Sequence, residues 1–582
     1  MARHGRLRNL IGHLASTTPP APAPAAADGE RHPFGIADAQ VLPPPRPQLP
    51  VPPDPAPQAL RSIGSVALSP CEGWVAYTVT QKDLEKDSSE TSLWMVATDG
   101  SADPIRMSAP GLGAGSPAFS PDGKLLCFTA SRPIPPVLNP GGGDEDLSTT
   151  QVWAHNLAGG DAQPLTFIKQ GVSSFCWSPD LARPRLLLSI RDPDPDADAE
   201  KKERDKPKPW VMDRQQFKRD YAGYLHNRQG HTHLYVQEDG VVTQITSGDH
   251  DESGGAWSPC GNLVAFSSNR TANPDANSDD NIWVVSANNT DCGGSLVQVT
   301  ADEGHGNGSP EWSPDGKSIA YGTNPTYPDT MWYSTNHVAI AAADGSDAAT
   351  GGRVLTMKLD RNISGAEFDA TGGKLTARLT DRGMTHLVEI ILAGNDEEEV
   401  VRIIDGEVSV GSFVVEGGTT IALVSTASQP AEIMVLDGHR AAASRPLRQL
   451  THVNDELLAT VTLGSVEKVS FPCDDVRTYT ELGSRPMKID TVNHDVEMFV
   501  YKPVGCDPAS GFKYPTVLWI HGGPVSQYDW AFAPVAQIYA NRGYVVLQVN
   551  PRGSTGRGEE FCAALYADWG GPGLHDVRSP QL

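Results

Sequence analysis

The sequence predicts a mainly β chain: a seven-bladed β-propeller followed by a short α/β segment on a mostly parallel sheet. Two observations carry this. A hairpin centred on Ser-Pro-Asp-Gly recurs about every fifty residues through the middle of the chain. After Ser465 that pattern gives way to strand, glycine loop, helix and strand.

The repeat unit begins with a small apolar strand, turns, and continues into a second strand. Clear copies are PAFSPDGKLLCFTA (117–130), GAWSPCGNLVAFSSNR (255–270) and PEWSPDGKSIAYGT (310–323). Looser copies start at Val66 and Phe175, and degenerate ones at Ala366 and Phe413. The turn chemistry fits a hairpin: Pro sets φ, Asp caps the turn and Gly supplies a positive φ. A third strand with an aromatic follows, as in SLWMVATDG, QVWAHNL, HLYVQEDG and NIWVVSAN, and a fourth often ends in Leu/Val-Thr. Four short strands per unit describe a propeller blade. Turn prolines at 70, 121, 179, 259 and 314, with degenerate turns near 370 and 417, make seven units. Between Pro179 and Pro259 lies the insertion RDPDPDADAEKKERDKPKPW, which reads as a solvated loop. DRQQFKRDYAGYL follows it, either lining a cavity or crossing between blades. The blades show no metal cluster, phosphate loop or recognition helix, so alone they read as a binding or gating platform.

Before the blades, MARHGRLRNLIGHLAS carries Arg3, Arg6 and Arg8, with Leu7, Leu10, Ile11 and Leu14 on one helical face and no acid before Asp28. That pattern fits an organelle transit peptide or a docking arm, and it lacks a secretory core. From Thr17 to about Gln58 the chain is Ala/Pro-rich linker.

The 582 residues suffice for several domains with sizeable cores. A formal net charge of −25 serves solubility and argues against nucleic acid and anionic membranes as partners. The eight cysteines (71, 127, 176, 260, 292, 473, 506 and 562) form no CxxC pair. They signal neither a zinc site nor a disulfide frame, and fit reduced thiols in an intracellular, most simply cytoplasmic, setting. No run approaches the ~18 apolar residues of a membrane span.

In the last part, HDVEMFVYKPVG (494–505) alternates as a strand. Thr516–Ile520 is an apolar run that stops at His521-Gly522-Gly523-Pro524. DWAFAPVAQIYANRG reads as a helix, with Phe532, Val535, Ala536 and Tyr539 apolar and Gly543 as its stop. YVVLQV (544–549) is a further buried strand, completing a βαβ unit. Glycines leave backbone N–H groups bare, and bare N–H groups hold oxyanions.

A propeller with SPDG turns, then HGGP, then about 25 residues later NPRGSTGRGEEF and finally DWGGPGLHDV, resembles the prolyl oligopeptidase family of serine peptidases. The similarity is greatest to its acylaminoacyl-peptidase and dipeptidyl-aminopeptidase branch, and it covers roughly residues 33–577. The resemblance implies a seven-bladed β-propeller (59–464) behind the N-terminal arm (1–58). The incomplete N-terminal part of an α/β-hydrolase (peptidase) domain (465–582) follows. It implies hydrolysis of short peptides by a Ser–His–Asp triad, no cofactor and no metal, with the propeller restricting access. The sequence does not fix the oligomeric state. The oxyanion role falls to Gly522 or Gly523. His521 orients the loop or is simply a satisfied structural histidine. Arg552 ties the loop through charge-assisted hydrogen bonds.

The nucleophile is not found. No Gly-x-Ser-x-Gly occurs in the chain, and Ser554 has Arg552 where the elbow needs glycine. The triad order Ser, Asp, His places all three residues beyond Leu582. The expectation is therefore a chain without catalytic residues, inactive as given, with a marginal C-terminal piece and a propeller that folds alone. A half-built sheet leaves an apolar edge. Two other functions compete: a non-catalytic propeller that binds peptide or protein, and an esterase-type serine hydrolase, which would need no peptide gate.

Overall fold

The computed structural model describes residues 59–578 apart from 136–137, 139–148, 194–211, 213, 221–222, 225–230, 327–332, 393–397, 438–446, 473–494 and 567. The N-terminal arm and most of the charged insertion lie outside the described residues.

Seven antiparallel blades follow one another. Their innermost strands are Ser62–Leu68, Gly115–Phe119, Ser174–Trp177, Ser253–Trp257, His305–Trp312, Asn362–Phe368 and Ser409–Glu416. Blades 6 and 7 share one parallel bridge, Thr385 to Ser409. The turn chemistry explains why the repeat is so legible. In blade 2, Ser120 Oγ donates to Asp122 Oδ1 (2.7 Å) and accepts from Leu125 N–H (2.9 Å), while Lys124 N–H also reaches Asp122 (3.1 Å). Ser120 and Lys124 hold the Asp122 carboxyl down at about 2. Ser313 and Asp315 repeat the arrangement in blade 5. In blades 1 and 4 the anion's place is taken by Cys71 and Cys260, each 3.4 Å from its serine hydroxyl. Those hydrogen bonds pull both thiols below the ordinary thiol range. Six of the seven inner strands carry a register shift, which twists each blade about its own axis.

The ring closes without a shared strand: blade 1 and blade 7 are each built from one stretch of chain. Ile63, Val75 and Tyr77 pack on Ile421, Ile433 and Val435 in one core. Glu72 occupies the turn position that glycine fills elsewhere, at φ +58. Its carboxylate accepts from Gly418 N–H (3.2 Å) and Thr419 Oγ1 (2.6 Å) of blade 7. The left-handed backbone costs about 1 kcal/mol, and two charge-assisted hydrogen bonds offset it.

The C-terminal sheet has four strands: β1 (Val466–Pro472), β2 (Asp495–Tyr501), β3 (Thr516–Ile520) and β4 (Val545–Asn550), in the order β1-β2-β4-β3. Only β3 and β4 are parallel, joined by helix α1 (Pro534–Asn541). Ala536, Gln537 and Ala540 are buried, whereas Val535 and Tyr539 are exposed. Small alanines let the helix close on the sheet, and Gln537 satisfies both backbone groups of Gly464 (2.8 and 3.2 Å). β3 is an edge strand, with Leu518 and Ile520 exposed.

The propeller meets this sheet through blades 5 to 7. Arg382 N–H donates to Gly556 O (2.9 Å), and Trp530 N–H donates to Gly383 O (2.9 Å). Gly383 has φ +69, and a Cβ there would stand 2.9 Å from the Phe499 ring, so this turn requires glycine. Ala427 joins Phe499, Tyr501 and Trp530 in a common core. Trp569 Nε1 donates to Tyr333 Oη (2.8 Å).

Candidate active site at the glycine loop

β3 ends at Ile520 and the chain turns at once through His521-Gly522-Gly523-Pro524. Gly523 has φ +136, and a Cβ there would lie 2.8 Å from Val525 N, so the turn disfavours any side chain. At Gly522 a Cβ would meet nothing within 4 Å. Both glycines are exposed, and among the described residues neither of their N–H groups donates a hydrogen bond. The loop after them is clamped by Asn550, the last residue of β4. Its Oδ1 accepts from Tyr528 N–H and its Nδ2 donates to Tyr528 O, both at 2.8 Å.

The His521 ring sits edge-on to Tyr528, with centroids 5.3 Å apart. Nε2 is 2.9 Å from Ser554 Oγ and Nδ1 is 3.1 Å from Gly522 O. Burial lowers its pKa, favouring the neutral ring. A neutral ring has one N–H. With Nδ1–H on Gly522 O, Nε2 accepts the Ser554 hydroxyl. With the other tautomer, Ser554 accepts from Nε2 and donates to Pro551 O, 2.6 Å away. Either way the serine proton is engaged, and Ser554 is 1% exposed, out of reach of a substrate carbonyl.

Arg552 is equally enclosed. Its backbone N–H donates to Asp576 Oδ2 (2.7 Å), Nε reaches both carboxylate oxygens (3.0 and 3.1 Å) and one terminal nitrogen reaches Oδ1 (2.8 Å). Asp576 is fully buried on helix α3 (Pro572–Arg578), which follows helix α2 (Glu559–Ala563). Sequence reasoning assigns no role to Asp576 or Asn550. Partners 22 and 24 residues away leave no local spacing to read.

Residues 530–579 match the sequence profile of the prolyl oligopeptidase family. An uncharacterized peptidase of Bacillus subtilis (strain 168), YuxL, is 26% identical over 532 residues, 89% of this chain and 73% of that protein. Dipeptidyl-peptidase 5 of Trichophyton equinum is 26% identical over 271 residues, 46% of this chain and only 34% of that protein. The acylaminoacyl peptidase of Pyrococcus horikoshii superposes with a TM-score of 0.66 at 20% identity, over 90% of this chain and 71% of that one. A puromycin-hydrolyzing peptidase of Mycobacterium tuberculosis does so at 0.60 and 14%, over 91% and 72%. At these identities the likeness is one of fold.

Proposed function

We propose that this chain is the propeller and oxyanion side of a serine peptidase that hydrolyses short peptides, of dipeptidyl or acylaminoacyl type. The observation that supports it is the pair of exposed, unengaged amides at Gly522 and Gly523. Peptide hydrolysis passes through a tetrahedral intermediate whose oxygen carries a negative charge. N–H groups fixed beforehand stabilise that charge without reorganising, by about 3–4 kcal/mol per donor. His521 positions the loop through Gly522 O and Ser554, and Arg552 with Asp576 positions the NPRGS turn behind it. The propeller limits access to small peptides. No cofactor is invoked. No Gly-x-Ser-x-Gly elbow occurs in the 582 residues, so on their own they hold a peptide carbonyl and do not attack it.

The test has two arms. The 582-residue chain is assayed with Ala-Ala-p-nitroanilide and N-acetyl-Ala-p-nitroanilide, with no release above blank expected. Turnover abolished by Ser554→Ala would make Ser554 and His521 nucleophile and base, and overturn this reading. In the second arm the reading frame is followed past the Leu582 codon, and any longer product is labelled with a fluorophosphonate. Labelling of a Gly-x-Ser-x-Gly serine is expected. Without it, the non-catalytic peptide-binding propeller becomes the better account.

A further inference from the structure

Blades 2 and 4 end their second strands on one pattern, Phe-Thr-Ala-Ser-Arg (128–132) and Phe-Ser-Ser-Asn-Arg (266–270). Their registers match as well: Phe128 stands opposite Trp153, and Phe266 opposite Trp283. Each arginine lies over its own aromatic pair. Arg270 Cζ is 5.7 Å from both ring centroids, and Arg132 Cζ is 5.3 Å from Phe128 and 3.9 Å from Trp153. Such a floor holds a guanidinium by its face and leaves its N–H edge for hydrogen bonds.

What meets that edge differs between the two blades. In blade 4, Arg270 Nη2 donates to Oε1 of the buried Glu252 (2.5 Å). Glu252 stands just before the inner strand, whose Ser253 pairs with Ser267. In blade 2, Gly115 pairs with Thr129 in the same register, so Ala114 takes the place of Glu252. The two backbones agree: Glu252 N–H donates to Thr232 O (2.9 Å) and Ala114 N–H to Thr91 O (3.0 Å), each on the preceding blade. Ala114 packs in one core with Phe128 and Trp153. Arg132 therefore has the floor and lacks the anion. Among the described residues it has no carboxylate partner, and its Nε and Nη2 are buried without a hydrogen bond. Nη1 is the nitrogen that this half-buried side chain leaves open. Burial lowers the pKa of both arginines, and only at Arg270 does a carboxylate offset it. Arg132 also stands at the hydrolase end of its blade. It follows the second strand, and in blade 6 the turn after the second strand, Arg382-Gly383, is the one that bonds to Gly556 and Trp530.

We propose that Arg132 is a carboxylate subsite for an acidic peptide, taking from solution the partner that Arg270 finds in Glu252. The contact is made through Nη1, whose N–H groups donate to a carboxylate oxygen in a charge-assisted hydrogen bond. Trp153 and Phe128 fix the guanidinium beforehand, so little side-chain freedom is lost on binding. The carboxylate belongs to an acidic side chain or to a peptide C-terminus, and both present the same two oxygens. That the ligand is a peptide rests on the peptidase reading above. The net charge of −25 opposes acidic ligands at long range, so the effect is read at physiological salt, where charges beyond about 8 Å are screened.

The test is calorimetric binding of three peptides to the 582-residue chain. Ala-Glu-Ala amide against Ala-Gln-Ala amide isolates a side-chain carboxylate, and Ala-Gln-Ala free acid against its amide isolates a C-terminal one. At least one carboxylate is expected to tighten binding by roughly fivefold or more, and the arm in which it does so names the source. Arg132→Gln should abolish the gain. Ala114→Glu, which gives blade 2 the carboxylate of blade 4, should abolish it too while keeping the arginine. Thermal melts check that both variants fold, and Arg132→Gln decides alone if Ala114→Glu does not. Equal affinities in both arms, no binding of any of the three peptides, or a gain that survives Arg132→Gln would each overturn the subsite. The peptidase reading is judged separately, by fluorophosphonate labelling, which does not depend on peptide charge.

Discussion

Replacing Asp576 by Asn should loosen the NPRGS turn while leaving the propeller intact. Asp576 is 0% exposed and Arg552 7%, so the substitution strands a guanidinium in the interior and weakens the acceptor for Arg552 N–H. Breaking one partner of a buried pair costs about 3–5 kcal/mol. At about 1.4 kcal/mol per decade, that is roughly two to three and a half orders of magnitude in local opening. Cys562 reports it. The residue is buried on α2, its Sγ lies 3.8 Å from Gly553 O, and burial pushes its thiol up to about 12, so it reacts only through opening. Cys127, buried in blade 2 and likewise pushed up to about 12, is the internal control. The assay is thiol labelling followed by peptide mass spectrometry. Cys562 should label at least a hundredfold faster in Asp576→Asn, roughly the lower bound above, with Cys127 unchanged. The pair Arg552→Met with Asp576→Leu should recover most of the loss, but not the roughly 1–3 kcal/mol of the orphaned Arg552 N–H. Cys562 labelling within about threefold of wild type in Asp576→Asn would refute the reasoning, since the substitution would then have lowered the free energy of local opening by well under 1 kcal/mol.

Gly523→Ala forces a side chain onto φ +136 and against Val525 N, and should cost about 1–3 kcal/mol, read from the midpoint of a urea melt. An unchanged midpoint would contradict the strained turn. Glu311 is pushed up to about 8 by burial and by Glu367, itself pushed up to about 7 although Val415 N–H donates to it. An unfolded glutamate ionises near 4.5. Between these values the folded state holds more protons, so stability is full below about 4.5 and falls as pH rises towards 8. Glu311→Gln should therefore gain on wild type more at pH 8 than at pH 5; equal gains would count against it. Leu518→Lys with Ile520→Lys places charges on the exposed edge of β3 and should reduce light scattering on warming; undiminished scattering would mean the edge is not the sticky surface.

The propeller was legible because its information is local. Ser120, Asp122 and Gly123 make their turn within four residues, and alternation in the flanking strands names the buried face. The glycine loop was legible for the same reason, since positive φ at Gly523 is a property of one residue. The buried face of α1 was not legible, because apolar period alone does not register that small alanines approach a sheet more closely than Val535 or Tyr539.

By itself, then, the sequence determined the repeating hairpins, the switch to a βαβ unit and the bare amides of the HGGP turn, because each depends on residues a few positions apart. Only the tertiary structure decided what lies across long separations. It set Asp576 under Arg552, the Ser554 hydroxyl against His521, Glu72 across the ring seam, and Arg132 over Trp153. These pairings come from the closing of blades and layers around each other. Burial then turns them into energy, by removing the water that would otherwise satisfy each group.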